Sequence, residues 1–314
     1  MESVKIDGNH LTIEEIIAVA RNGAYVELAP EAKVAINQSR SWVEEIIQSG
    51  KPVYGINTGF GVFSDIQISA EDSAQLSRNL ILSHAVGTGD RLPDEIVRAA
   101  ILVRANTLAK GHSGVRLELV ETLLALLNKQ LTPVVPSQGS LGSSGDLAPL
   151  SHLALVITTD LMDIDAESGS ARYQGDTLSG KMAMARAGIE RIILQAKEGL
   201  ALSNGASFSA AIGALAVFDA ATLLKAGEIS LALSLEALMG CSAAFDERLH
   251  RARGFTGQAK VAENVRALIS GSNLVDRARR VQDAYSLRCA PQVQGACRDT
   301  LDFVQRIIEI EINA

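Results

Sequence analysis

Apolar residues recur with helical spacing along most of the chain, and short polar or glycine-rich segments separate the helical stretches. Thr12 and Glu15 form a capping-box pattern that predicts the start of a first helix, which Gly23 ends. Pro30 opens a second predicted helix, which continues to Gly50. Helical spacing returns over residues 71–86, 93–110 and 115–130 and again from about residue 146. The pattern predicts a mainly α-helical protein.

Segments with other patterns set the limits of these helices. Residues 50–65 are rich in glycine and predict a structured loop, and residues 165–180 are polar and predict a surface loop. Residues 206–239 are rich in alanine and leucine and contain no proline, which predicts one long helix, or two end to end, buried on most faces. An apolar stripe over residues 301–312 predicts a last helix that no glycine or proline ends. Such helices suit a bundle, which other subunits could complete.

Composition narrows the class of protein. The 314 residues are 47% hydrophobic and only 4% aromatic, which predicts an aliphatic core, and the net charge of −7 argues against a nucleic-acid partner. Cys241, Cys289 and Cys297 form no metal-type pair and are expected to be reduced core thiols of a cytosolic protein. The first residues lack a secretory signal, and the apolar run 210–224 contains Asp219 and falls short of a membrane span. We therefore expect a cytoplasmic protein that is not bound to a membrane.

Common catalytic motifs are absent or incomplete. None of the five histidines has the spacing of a shared metal site, so no metal is expected. The GSSG sequence at residues 142–145 lacks the spacer of a serine-hydrolase elbow, and no strand pattern precedes it. The glycines at 59 and 61 form only part of a dinucleotide fingerprint.

The segment GSLGSSGDLAPL, residues 139–150, has an unusual density of glycine and serine. Asp146 as N-cap and Pro149 in the first turn predict the start of a helix, but they leave the glycine-serine run unexplained. A Ser-Gly pair can cyclise when the glycine nitrogen attacks the carbonyl carbon of the residue before the serine. Only glycine permits the close approach, and a constrained turn must hold it. Ser143, Ser144 and Gly145 satisfy the requirements on residue type.

Six stretches together resemble the histidine/phenylalanine ammonia-lyase family: YGINTGFG, LSRNLILSHAVGTGD, RANTLAKGHSGVR, GSLGSSGDLAPLSHLAL, GLALSNGAS and QDAYSLRCAPQVQGA. They occur in the family's order and cover nearly the whole chain. The resemblance implies an N-terminal active-site region followed by long helices of a multi-subunit bundle, of the fumarase/aspartase-like architecture. It also implies a homotetramer and an autocatalytic methylidene-imidazolone (MIO) electrophile formed from Ser143, Ser144 and Gly145, with no dissociable cofactor.

The resemblance implies a role for several further residues. Tyr54 matches the base that removes the substrate β-proton, and Asn204 matches an asparagine beside the MIO and the substrate amine. Tyr285 and Arg288 match the family's tyrosine and arginine, and the arginine holds the substrate carboxylate. Gln282 matches a glutamine near the cofactor. From the sequence alone, Tyr54 could instead pack a loop, Asn204 could cap a helix, and Arg288 could be an ordinary surface or ion-pair arginine.

The pair Ser83–His84 bears on the substrate. Enzymes of this family that act on phenylalanine tend to have Phe-Leu there, those acting on tyrosine His-Leu, and those acting on histidine Ser-His. Serine and histidine can bond the polar nitrogens of an imidazole, which an apolar wall would leave unpaired. The resemblance therefore implies conversion of L-histidine to trans-urocanate, although His84 could also be a satisfied core histidine.

Two departures from the family limit this expectation. Ser143 stands where the family usually has alanine, although ring formation uses only that residue's backbone. Family members continue past residue 314, and their later part supplies an aromatic residue and, in histidine-acting members, a glutamate to the active site. We therefore expect a truncated or proteolysed chain, with an active-site domain at 1–200 and the first part of the bundle at 201–314. The alternatives are a lyase for phenylalanine or tyrosine, an aminomutase and an inactive fragment.

Overall fold

The computed structural model describes residues 3–61, 64–69, 72–278 and 280–314, and helices dominate it, as predicted. The α-helices are α1 (Ile13–Ala20), α2 (Pro30–Ser49), α3 (Ser73–His84), α4 (Asp94–Ala109), α5 (Leu117–Asn128), α6 (Leu147–Ile157), α7 (Gly180–Ala187), α8 (Glu198–Ser203), α9 (Ser207–Ala237), α10 (Glu247–Arg253), α11 (Thr256–Leu268), α12 (Tyr285–Arg288) and α13 (Ala290–Glu311). The strands are β1 (Val4–Ile6), β2 (Val26–Leu28), β3 (Thr88–Arg91), β4 (Thr132–Pro133), β5 (Pro136–Gln138), β6 (Thr158–Thr159), β7 (Ser170–Tyr173), β8 (Asp176–Ser179) and β9 (Ile192–Ile193).

The predicted starts of the first two helices and the predicted end of the second are confirmed, whereas the first helix ends at Ala20, three residues before Gly23. The Thr12 side chain accepts a bond from the Glu15 backbone, and the Glu15 carboxylate accepts the Thr12 N–H. Gly50 ends α2 in a left-handed conformation with φ of 67°. The predicted start of the third helix, residue 71, lies outside the described residues.

The chain forms two compact units. The first consists of Met1–Leu215 with Glu309–Ala314, and the second of Ala216–Ile308. The division into an active-site domain at 1–200 and a bundle at 201–314 concerns function and stays a prediction.

Helix α4 is the centre of the first unit. It packs against α1 and α5, and its aliphatic side chains are buried around most of its circumference. Two arginines of this helix, Arg98 and Arg104, are also buried, at 7% and 3% exposure. Buried arginines within an aliphatic helix need polar partners, because an unpaired buried charge is strongly destabilising.

The prediction of a surface loop over residues 165–180 is wrong. Strands β7 and β8 pair there as an antiparallel hairpin, with Tyr173 opposite Asp176, and β4 pairs with the other edge of β7. Gln174 and Gly175 connect the strands with φ values of 52° and 91°. Two successive positive φ values give the tight turn whose twist matches antiparallel strands. The hairpin buries Ala171 completely.

Three further pairings are short. Strands β1 and β2 are parallel, as are β6 and β9, whereas β3 and β5 are antiparallel. The β3–β5 pair shows that a strand does precede the glycine-serine segment, which the apolar pattern did not predict. It brings Thr88, four residues after His84, opposite Gln138.

The second unit contains a small core between helices, formed by Leu231, Ala232, Leu235, Phe245, Val261, Val265, Ile269 and Ala290. The prediction that α9 is buried on most faces is wrong for the single chain, because Leu223 is 73% and Leu233 62% exposed. At 31 residues, α9 is also long and apolar enough to cross a membrane by length and composition, so the predicted shortfall does not hold. All three cysteines are free, but they are half-buried or exposed rather than in the core.

Candidate active site

The tripeptide Ser143–Ser144–Gly145 lies in a tight turn between β5 and α6. The Leu141 N–H donates to the Gly145 carbonyl at 3.1 Å, and the Gly145 N–H donates back to the Gly142 carbonyl at 3.3 Å. Both serine side chains are exposed. The turn is therefore fixed by its backbone, and the extra hydroxyl of Ser143 has no core to disturb.

Gly145 occupies a position that only glycine fits. Its φ is 75°, and a Cβ there would lie 2.7 Å from the carbonyl oxygen of Gly205. The same Gly205 oxygen accepts the Asp146 N–H at 2.8 Å, and Gly145 and Gly205 form a parallel bridge. The segment after α8 therefore supports one side of the tripeptide turn.

Asp146 does not cap α6 with its side chain, contrary to the prediction. Its carboxylate is fully buried and accepts the N–H groups of Phe208 at 2.7 Å and Ser209 at 3.0 Å, together with the Ser209 hydroxyl at 3.0 Å. These donors belong to the first turn of α9, where unpaired N–H groups and the helix dipole favour an anion. Asp146 therefore ties the tripeptide turn to the start of α9.

Asn204 lies directly before Gly205 and therefore beside the tripeptide turn. Its N–H donates to the Leu200 carbonyl at 3.0 Å, and the residue is the C-cap of α8. Asn204 is thus a helix cap, which was the alternative to a catalytic role in the sequence analysis. Its side chain is exposed. The structural position and the role implied by the resemblance are compatible, because the cap uses the backbone and leaves the amide side chain available.

Arg104 is a residue of this region that sequence reasoning missed. Its Nε and Nη2 donate to the Leu202 carbonyl, both at 3.2 Å, and Nη2 also donates to the Asn204 carbonyl. Burial lowers the pKa of this guanidinium to about 10, and the Asp146 carboxylate opposes the shift. The signal in the sequence was an arginine inside the aliphatic run ILVRANTLA.

Ser83 and His84 form the last turn of α3. The Ser83 hydroxyl donates to the Leu80 carbonyl at 3.0 Å, and His84 Nδ1 lies 2.8 Å from the same oxygen. Since a carbonyl only accepts, Nδ1 carries the proton there, and the neutral ring then has its lone pair on Nε2. His84 is half-buried rather than enclosed in the core.

His152 of α6 was not predicted as a site residue either. Its Nε2 accepts the Gly87 N–H at 3.0 Å, three residues after His84. Burial lowers the pKa of His152 below its ordinary value of 6.5, which favours the neutral ring that this bond requires. The bond therefore joins α6, the helix that follows the tripeptide, to the segment that follows Ser83 and His84.

Tyr54 lies on the predicted structured loop and is 59% exposed. The ring meets Phe60 edge to face, with centroids 6.3 Å apart. Asn57 holds the loop, because its side chain accepts the Val53 N–H at 2.7 Å and donates to the Lys51 carbonyl at 2.8 Å. The loop therefore keeps its shape through buried amide bonds while Tyr54 stays accessible.

The loop and α3 share one apolar surface pocket of about 380 Å³. It is lined by Gly59, Phe60, Ile66, Ile68, Leu76, Asn79, Leu80 and Ser83. The pocket brings the loop that carries Tyr54 to the end of α3 that carries the Ser83–His84 pair.

Gln282, Tyr285 and Arg288 belong to the second unit. The Arg288 guanidinium stacks over the Tyr285 ring, 4.3 Å from its centroid, and Tyr285 is 71% exposed. The buried Arg288 Nε has no hydrogen-bond partner among the described residues. A guanidinium that lies over a ring and retains an unpaired donor is suited to bind a carboxylate.

Comparison with known proteins agrees with the sequence resemblance. The histidine ammonia-lyase of Caldanaerobacter subterraneus subsp. tengcongensis is 50% identical over an alignment of 316 positions, which covers 100% of this chain and 61% of that protein. The histidine ammonia-lyase structure from Trypanosoma cruzi matches with a TM-score of 0.88 and 36% identity, over 100% of this chain and 57% of that one. Tyrosine aminomutase from Streptomyces globisporus matches with a TM-score of 0.90 and 36% identity, over 100% and 62%.

The chain thus spans about 61% of the length of the curated relative. The matched structures have the helical fumarase/aspartase-like fold that the resemblance implied. The sequence profile of the family described as aromatic amino acid lyase matches residues 11–314. The chain therefore belongs to the aromatic amino acid lyase family.

Proposed function

We propose that this chain carries the electrophile-forming part of an ammonia-lyase that converts L-histidine to trans-urocanate and ammonia. The observation that carries the proposal is the Ser143–Ser144–Gly145 turn, in which Gly145 is pressed against the Gly205 carbonyl. Relatives named histidine ammonia-lyase, about half identical to this chain, support the choice of substrate.

The turn fits the chemistry of ring closure. The Gly145 nitrogen bonds to the Ser143 carbonyl carbon, and the carbonyl oxygen leaves as water with the amide hydrogens of Ser144 and Gly145. Ser144 then loses its hydroxyl and its α-hydrogen as a second water. The ring supplies an electrophilic methylidene carbon that draws electrons from the substrate. Preorganisation of the turn matters because the closing atoms must be held closer than an unconstrained backbone allows.

Side chains of this protein would remove the proton, orient the amine and bind the carboxylate of the substrate. We propose that Tyr54 takes the β-proton while the substrate amine leaves as ammonia, and that Asn204 orients that amine. The Arg288 guanidinium binds the carboxylate, with Tyr285 and Gln282 beside it. The exposed positions of Tyr54, Asn204 and Tyr285 support these roles, because each side chain can reach a bound molecule.

We assign recognition of the imidazole to Ser83 and His84. With its proton on Nδ1, His84 presents Nε2 as an acceptor for a substrate N–H, a bond that a phenyl ring cannot offer. His84→Leu should lower kcat/KM for histidine by about tenfold to a hundredfold while leaving cofactor formation intact. Ultraviolet assays with histidine, phenylalanine and tyrosine test this. The matched control is His10→Leu, at an exposed histidine bonded to Asp7, and a preference for phenylalanine or tyrosine in the unaltered protein would refute the assignment.

Two other functions are distinguished by simple assays. An aminomutase would return ammonia to the β-carbon, and the similarity to tyrosine aminomutase favours including this test. Chromatographic detection of a β-amino acid would reveal it. An inactive fragment would convert no substrate alone but would become active when the C-terminal part of a relative is supplied. The assay therefore includes the chain alone and the chain with that C-terminal part.

We also propose a cytoplasmic homotetramer. The exposed apolar side chains of α9, among them Leu223 and Leu233, support association with further chains, because large exposed apolar surfaces commonly mark interaction sites. Buried Glu228 of α9, paired with Arg298 at 2.6 Å, supports a place in a helical bundle rather than in a bilayer. Light scattering on the purified protein tests the assembly.

A further inference from the structure

Arg104 supports the segment between α8 and α9 that faces the tripeptide turn. Its guanidinium is 3% exposed and bonds to the carbonyl groups of Leu202 and Asn204, which flank the end of α8. Charge-assisted bonds of this kind are about twice as strong as neutral ones and fix geometry as well. Arg104 therefore holds the chain at the residue before Gly205.

Gly205 continues this support to the tripeptide. Its φ is 150°, and a Cβ on it would lie 2.8 Å from Arg104 Nη1, so the guanidinium lies directly against the glycine. On the side facing the tripeptide, the Gly205 carbonyl oxygen would lie 2.7 Å from a Cβ on Gly145. The same oxygen accepts the Asp146 N–H. The contacts run without a gap from Arg104 through Gly205 to the residues that would cyclise.

Charge keeps this arrangement in place. The lowered pKa of Arg104 still leaves the guanidinium charged at neutral pH, and the buried Asp146 carboxylate is the opposing charge. Asp146 is itself fixed by the first turn of α9, so it cannot follow a displacement of the Asn204–Gly205 segment. A shift of Asn204 and Gly205 would therefore break bonds on both sides.

We infer that Arg104 is a positioning residue that presses the Asn204–Gly205 segment against Gly145 and thereby sets both the cyclising turn and the place of the Asn204 side chain. The inference rests on the proposed function, in which the tripeptide cyclises. The guanidinium of Arg104 bonds to the backbone carbonyl groups of Leu202 and Asn204, so we assign it a positioning role and no direct part in the reaction.

Arg98 provides a matched control on the same helix. It is also buried, burial also lowers the pKa of its guanidinium, and it also donates to backbone carbonyls, those of Val19 at 2.8 Å and Ala20 at 3.2 Å. These partners lie in α1, away from the tripeptide. Arg98→Gln should lower stability as much as Arg104→Gln, but only the latter should disturb the turn.

The experiment compares Arg104→Gln, Arg104→Lys and Arg98→Gln by intact mass during maturation, by thermal unfolding and by amide hydrogen exchange at Asp146. We expect Arg104→Gln to slow the loss of two waters and to weaken protection of the Asp146 N–H by about tenfold or more, because a charge-assisted bond is lost. Arg104→Lys should restore part of both, and Arg98→Gln should change neither. Equal effects of Arg104→Gln and Arg98→Gln at matched stability would overturn the inference.

The two proposals fail in different ways. If the unaltered protein never loses two waters, the proposed function is wrong. Exchange at Asp146 still compares the variants in that case, because it reports the position of the Gly205 carbonyl without any cyclisation. Unchanged exchange in Arg104→Gln would then reject the positioning role as well.

Discussion

Replacement of Gly205 by alanine tests the contact between Arg104 and the segment beside the tripeptide. The new methyl carbon would lie 2.8 Å from Arg104 Nη1 and 3.5 Å from Cζ, at a φ of 150°. Such a backbone conformation costs a non-glycine residue about 1–3 kcal/mol. Moving the guanidinium breaks a bond to the Leu202 or Asn204 carbonyl, which adds about 1.5–3 kcal/mol. Gly205→Ala should therefore lower the free energy of unfolding by about 2.5–6 kcal/mol.

Gly188 supplies the control for backbone strain alone. It ends α7 with φ of 64°, and nothing lies within 4 Å of a Cβ placed there. Gly188→Ala should thus lower the free energy of unfolding by only about 1–2 kcal/mol. Urea titrations followed by circular dichroism measure both values. Equal losses at the two glycines would show that Arg104 does not press on Gly205 and would refute the reasoning.

Two further predictions concern other residues of the candidate site. Tyr54→Phe removes only the hydroxyl from an exposed ring, so it should abolish ammonia release in the complete enzyme while the mass still shows the loss of two waters; substantial residual turnover would exclude Tyr54 as the base. Burial lowers the pKa of His152 below 6.5, so below that pH the unfolded chain binds a proton that the folded chain does not, and stability should fall as the pH drops from about 6.5 and level off below the folded pKa. His152→Gln should remove this slope from unfolding titrations, and a slope that persists in the variant would assign it to another group.

Local sequence rules predicted most of the helices in this fold. Capping at Thr12 and a left-handed glycine at Gly50 involve neighbours within one helical turn, so the sequence carries the full signal. The β7–β8 hairpin was not predicted, because its strands have only four residues each and the polar residues at 165–180 outweighed the turn signal of Gln174–Gly175.

The long-range part of the site could not be predicted in the same way. Asp146 looked like the cap of the helix that follows it, yet its partners lie 62 and 63 residues later, at the start of another helix. Arg104 likewise bonds to carbonyl groups 98 and 100 residues away. No local pattern encodes a partner at that distance, whereas the tripeptide itself was predicted because its chemistry needs only three adjacent residues.

The intact mass of the folded protein tests the central claim most directly. The account predicts a mass lower than that of the sequence by two water molecules, and digestion should place the whole deficit in the peptide that contains Ser143, Ser144 and Gly145. Ser144→Ala, which has no hydroxyl to lose, should not show that deficit. A folded, unaltered protein whose mass equals that of its sequence would contradict the account.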